Sequence, residues 1–175
     1  MQRIINRSIT QTIDIKKLRH IIPKYCNVVR YDSLKNRKTL KDVMGKYEVL
    51  IILWNIHDKQ RRVLDEPGHF FVLSTRGPEP LVVFSSTGMK PSEELFLTQS
   101  DPKLFERILP KNTVYNNVKL QINRSSNTCW RWCIVYALLA KMGLKKFTSL
   151  FSRPHLTLTS ADQLVTCLTL LSLFE

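Results

Sequence analysis

Acidic residues are scarce in this chain. Its 175 residues hold 14 Asp and Glu against 27 Lys and Arg, a formal net charge of +13. The shortage is local. Residues 1–62 hold 15 basic against 5 acidic residues, a net of +10, whereas residues 63–175 hold 12 against 9. A surface so one-sided attracts polyanions, either nucleic acid or an anionic membrane face. The aromatics do not alternate with the basic residues as on a base-stacking surface, so nucleic acid would be held through phosphates and without sequence preference. No apolar run reaches the ~18 residues of a membrane span. The opening MQRIINRSITQT lacks the apolar core of a secretory signal, so secretion is not expected. Cysteine is sparse too. Cys26, Cys129, Cys133 and Cys167 form no paired scaffold, which points to free thiols in a reducing compartment. Cys129 and Cys133 lie close together, but no second Cys/His pair completes a zinc site. Repeats, linkers and low-complexity segments are also missing, which leaves a single α+β domain as the simplest organisation.

What is present suits a folded domain. The hydrophobic share is 43% and the charged share 23%, and the length allows a proper core. Ile15, Leu18, Ile21 and Ile22 recur at helical spacing over residues 13–22, and Pro23 ends that segment. Residues 24–32 read as a short extended piece. Residues 39–44, closed by Gly45, read as a brief helix. EVLIILWNI, residues 48–56, is almost wholly apolar with β-branched members, the pattern of a strand buried on both faces, with Trp54 in the core. Residues 57–68 form a charged loop. A second buried strand starts at His69 and continues through Phe70 to Leu73. After a Gly77, Pro78 and Pro80 turn, residues 81–84 form a third strand, which should pair with the second as a hairpin. Asp101 and Pro102 open a helix that ends at Pro110, and residues 114–121 read as a further strand. Beyond Gly143, a basic connector with Lys145, Lys146, Phe147, Arg153 and Pro154 reaches Ser160. Ser160 forms a capping box with Gln163 and opens a terminal core helix lined by Leu164, Val165, Leu168, Leu171 and Leu173. His20, His57 and His155 sit in basic or loop contexts and are expected at the surface.

The most informative stretch is residues 121–143, QINRSSNTCWRWCIVYALLAKMG. Ser125, Ser126, Asn127 and Thr128 are all helix N-capping types. Ile134, Val135, Ala137, Leu138 and Leu139 follow as an apolar helical run, and Gly143 supplies a left-handed stop. Cys129 therefore falls in the first turn of a buried helix, where the helix dipole favours the thiolate that nucleophilic catalysis needs. A buried cysteine that merely packs is the competing reading. Cys133, one turn on, is read as core. Trp132 fits either the core or a substrate cleft.

Four features recur in a fixed order: Gly68-His69-Phe70 at a strand start, Phe84-Ser85-Ser86-Thr87-Gly88 at the next strand's end, Leu120-Gln121, and the Ser-rich loop before Cys129-Trp130-Arg131-Trp132-Cys133. Residues 48–143 in this order resemble the adenain-type viral maturation proteases, and more broadly the superfamily of the ubiquitin-like-protein-specific proteases. Residues 1–47 resemble, more faintly, the N-terminal part of proteases from virophages and Maverick-like elements. The resemblance implies a papain-like, adenain-like α+β fold, a mixed central sheet packed by helices, with the nucleophile at the N-terminus of a buried helix. The N-terminal part would span residues 1–47, the catalytic core 48–143, and the C-terminal connector and helix 144–175. It implies Cys129 as nucleophile, His69 as base and Gln121 as oxyanion-hole residue. Ser85 stands where the family has an acid.

The implied activity is cleavage of viral capsid and core precursors in the virion or infected cell. No metal or organic cofactor is implied. Viral DNA, bound through the basic N-terminal half, would be a possible activator, and a membrane partner is not expected. Three departures stand out. Phe70 replaces Trp, and Trp130 replaces the glycine after the nucleophile, where a bulky side chain could narrow the cleft. Ser85 can orient an imidazole but brings no charge to stabilise an imidazolium. Ser86 takes its place if the register shifts by one. The expected result is a weakened triad working mainly as a Cys–His pair, or a site that has lost activity. The alternatives are a protease of ubiquitin-like conjugates, and a non-catalytic DNA-binding or packaging protein on the same fold.

Overall fold

A computed structural model of the chain describes residues 7–8, 10, 13–54, 68–97, 100–121, 126–152 and 158–171. At its centre is a five-stranded mixed sheet in the order β1-β2-β3-β4-β5. The strands are β1 (Cys26–Arg30), β2 (Val49–Trp54), β3 (His69–Ser74), β4 (Val82–Ser85) and β5 (Val114–Tyr115). The pairs β1–β2 and β4–β5 are parallel, and β2–β3 and β3–β4 are antiparallel. The second and third strands of the sequence reading thus form the expected hairpin. The last strand is much shorter than the apolar pattern of residues 114–121 predicts. Beyond Tyr115 the chain leaves the ladder, and the Leu120 and Gln121 N–H groups both donate to the Ser86 carbonyl.

Helices cover both faces, which explains why β2 shows no polar alternation. Val49 and Ile51 point to one face, and Leu50, Ile52 and Trp54 to the other. On the first face lie α1 (Ile15–Ile21) and α5 (Cys129–Leu139), with α6 (Leu144–Phe151) and α7 (Leu158–Leu171) around them. On the second face lie α2 (Leu40–Met44), α3 (Pro91–Leu97) and α4 (Lys103–Ile108). Aromatic stacking ties each layer to the sheet. Phe84 stacks on Tyr136 at 4.4 Å on one side, and Phe105 of α4 meets Phe71 edge-on at 4.9 Å on the other.

Several expectations need correction. Residues 144–151 are a helix, not a connector. Leu144, Phe147, Thr148 and Phe151 recur at helical spacing and are buried, while Lys145 and Lys146 face solvent. Ser160 does not cap the last helix, which already begins at Leu158. Nor is that helix leucine-lined. Its buried face carries Ala161, Asp162, Val165, Thr166 and Thr169, while Leu164 and Leu168 are 37% and 38% exposed. Leu173, His57, His155, Ser125 and nearly all of the charged loop lie outside the described residues. His20 is exposed, as expected. Among the described residues no helix is long and apolar enough to cross a membrane.

Candidate thiol site

The site is assembled where the start of α5 meets the starts and ends of the central strands. Cys129 is the first residue of α5 and is buried, at 8% exposure. The loop before it is rich in capping side chains, yet they are used differently from the expectation. Thr128 occupies the N-cap position without accepting a helix N–H. Its hydroxyl donates instead to Asp162 of α7 at 2.6 Å. The Ser126 hydroxyl and the Trp132 indole N–H donate to the same carboxylate, at 3.1 and 2.9 Å. The last helix therefore grips the loop through one buried acid. A helix start has unpaired N–H groups by construction. With its polar neighbours turned to Asp162, α5 begins at Cys129 without a side-chain cap.

His69 opens β3, opposite Trp54 in the β2 register, with the two rings 5.8 Å apart. Its side chain is 20% exposed. Nε2 lies 3.3 Å from Ser85 Oγ and 3.5 Å from Glu94 Oε1. The Ser85 hydroxyl donates to Glu94 Oε1 at 2.5 Å, and the Thr87 hydroxyl donates to the same oxygen. A hydroxyl has one proton to give. With that of Ser85 given to Glu94, Ser85 Oγ can only accept from His69, so Nε2 carries the imidazole hydrogen. Nδ1 is then the nitrogen left for Cys129. Burial opposes charge on His69, but the Glu94 carboxylate, the hydrogen bond to Cys129 and the charge of that thiol outweigh it, and the pKa rises to about 9.

Gln121 also comes to this place. Its side-chain carbonyl accepts from Ser86 Oγ at 2.8 Å, and its amide nitrogen donates to the Ser126 carbonyl at 2.8 Å. The polar strand end 85–88 thus divides its work: Ser85 faces His69 and Ser86 faces Gln121. The turn behind it needs Gly88, whose φ is +75° and whose absent Cβ would lie 2.8 Å from the Val118 carbonyl carbon.

The tryptophan after Cys129 does not stand in an open cleft. Trp130 is 4% exposed within the core, and the Arg131 guanidinium lies over its ring at 4.1 Å. Trp132, fully buried, is a core residue that meets Phe151 edge-on. Cys133 is fully buried, and burial raises its thiol pKa well above the ordinary value. All four cysteines are free.

The structure brings together Cys129, His69, Ser85 and Gln121, the four residues singled out in the sequence, from across residues 69–129. Glu94 is the residue that sequence reasoning missed. It lies on α3, a helix that hydrophobic spacing does not reveal in so short a stretch. The available signal was Pro91-Ser92-Glu93-Glu94-Leu95: proline at a first helical position with acids in the first turn. Among the described residues, no three His, Cys, Asp or Glu side chains gather as metal ligands. Chemically, the cluster offers a thiol, an imidazole hydrogen-bonded to it, and a buried carboxylate behind that imidazole.

No protein-family profile matches the chain. It is similar to an uncharacterized protein, V9, of Sputnik virophage. The two are 26% identical over 132 residues, which cover 69% of this chain and 71% of V9. That similarity suggests a virophage origin.

Proposed function

We propose that the chain is a thiol endopeptidase of the adenain-like type, with Cys129 as nucleophile and His69 as base. The observation that carries this reading is the histidine poised between the Cys129 thiol and the Glu94 carboxylate at a helix start. His69 Nδ1 would take the thiol proton, and the sulfur would attack a peptide carbonyl. The imidazolium would then return the proton to the leaving amine. The N–H groups at the start of α5 would receive the oxyanion. Gln121 would serve as the oxyanion-hole residue, its amide nitrogen held in place by the Ser126 carbonyl at 2.8 Å and Ser126 Oγ at 3.4 Å. The mixed sheet, with the thiol helix on one face, supports the papain-like arrangement. The virophage relative supports a viral setting, in which precursor proteins of the particle are the substrates.

The test is the rate of Cys129 alkylation by iodoacetamide against pH. Fast reaction well below pH 8, abolished by His69→Ala, is the expected result. A rate that follows an ordinary thiol's titration near pH 8.5, unchanged by His69→Ala, overturns the reading. Loss of precursor cleavage in Cys129→Ala then separates protease from inert thiol.

A second function, binding to DNA, has its own support. Lys16, Lys17, Lys24, Arg30, Arg37, Lys38, Lys41 and Lys46 are all exposed. They would hold phosphates without reading bases.

A further inference from the structure

We propose that Glu94 is the positioning acid of the His69–Cys129 pair, supplied from helix α3 in place of the acid that Ser85 lacks. The inference rests on the thiol reading above and concerns how its base is held.

Three observations carry it. The first is geometry: Glu94 Oε1 reaches His69 Nε2 directly at 3.5 Å and through Ser85 Oγ by steps of 2.5 and 3.3 Å. The second is the direction of the hydrogen bonds. Ser85 and Thr87 both donate to Glu94 Oε1. The carboxylate is thereby fixed, and Ser85 is made an acceptor that holds the Nε2–H tautomer. The third is rigidity. Glu94 is 5% exposed, and its neighbours Pro91 and Leu95 are buried, Leu95 fully. The acid cannot swing to water without unseating α3.

A buried carboxylate is costly unless it has donors or a positive partner. The two hydroxyls are donors, and an imidazolium is the partner that forms when His69 takes a proton. Ser85 is thus not a lost acid but a spacer. It passes the orienting contact from a helix on the second face of the sheet to the histidine at the strand start. Among the described residues, the titratable groups around His69 are Glu94 from α3 and Cys129 from α5. Cys133 lies beyond them, its thiol kept neutral by burial.

The experiment follows the His69 imidazole by NMR titration alongside the alkylation profile. In Glu94→Gln, which keeps the shape and removes the charge, the His69 midpoint should fall by about one pH unit or more from its value near 9. The pH range of fast alkylation should contract with it. Ser85→Asp in the Glu94→Gln background should restore both, which a merely structural role would not do. Ser85→Ala provides a second test should Glu94→Gln not fold. It removes the spacer and leaves the charge, so the midpoint should stay raised while alkylation slows. A midpoint near the ordinary 6.5 in Ser85→Ala, or wild-type titration and alkylation in Glu94→Gln, overturns the proposal. Ordinary-thiol behaviour of Cys129 in the wild type would instead overturn the thiol reading beneath it. The raised His69 midpoint and its loss in Glu94→Gln would still be readable by NMR, so the two failures are distinct.

Discussion

At His69, a solvent-excluding site, a carboxylate and a thiol compete over one proton. Burial would expel it, but the Glu94 carboxylate and the hydrogen bond to Cys129 hold it, with a pKa of about 9 against an ordinary 6.5. The folded chain therefore binds this proton more tightly than the unfolded chain. The stabilisation is complete below about pH 6.5 and is lost as pH rises to 9, with a size on the order of 3 kcal/mol. Urea unfolding midpoints of wild type and His69→Gln should converge over that window. A constant difference from pH 6 to 9 would show that the proton is not held. Arg131 is a different case of charge inside the fold. It is 1% exposed, with contacts to Thr169 Oγ1 at 2.5 Å and the Ser8 carbonyl at 3.3 Å, and burial lowers its pKa to about 10. At this scale the sequence named Cys129, His69, Ser85 and Gln121, which the fold brings into one cluster. It could not name Glu94, because its contact with His69 spans 25 residues and depends on which face α3 takes.

Among the elements, α7 has a role out of proportion to its apolar content. Its Asp162 accepts from Ser126, Thr128 and Trp132, and so fixes the loop that carries Cys129. Asp162→Ala removes the acceptor that three buried donors share. At about 1–3 kcal/mol for each unsatisfied group, the loss should be several kcal/mol. It should appear as a lower thermal midpoint and as faster proteolytic cleavage within residues 121–128. An unchanged midpoint would mean that water replaces the carboxylate. The leucine spacing of residues 164–173 concealed this face, since apolar periodicity marks the side that is greasy and not the side that is gripped. The helix α6 was hidden for the opposite reason: its two lysines and flanking proline masked a regular stripe of Leu144, Phe147 and Phe151. By contrast, β2, β3 and β4 were legible, because continuous β-branched and aromatic runs bounded by turn residues have few other ways to be buried.

The whole molecule has a sheet buried on both sides and a basic excess concentrated in its first third. If the exposed cations of residues 16–46 bind duplex DNA, log K should fall steeply and linearly with log salt. Replacing Arg37, Lys38 and Lys41 together by Gln should weaken binding equally on unrelated sequences and reduce that slope by about one per lost contact. Binding that ignores salt would remove DNA from the account. The α+β class and the mixed central sheet were legible at this scale, and so was the direction of the charge. The pairing of acid to histidine was not, since it arises only when two layers close on the sheet. The hold of Asp162 on the Cys129 loop also has a consequence in time. During synthesis, His69, Glu94 and Cys129 all emerge before residue 162. A nascent chain thus has its reactive groups well before the clasp that fixes them. If the proposed thiol chemistry holds, competence would wait for residue 162 to emerge, and the residues before it would be made with the site still unset.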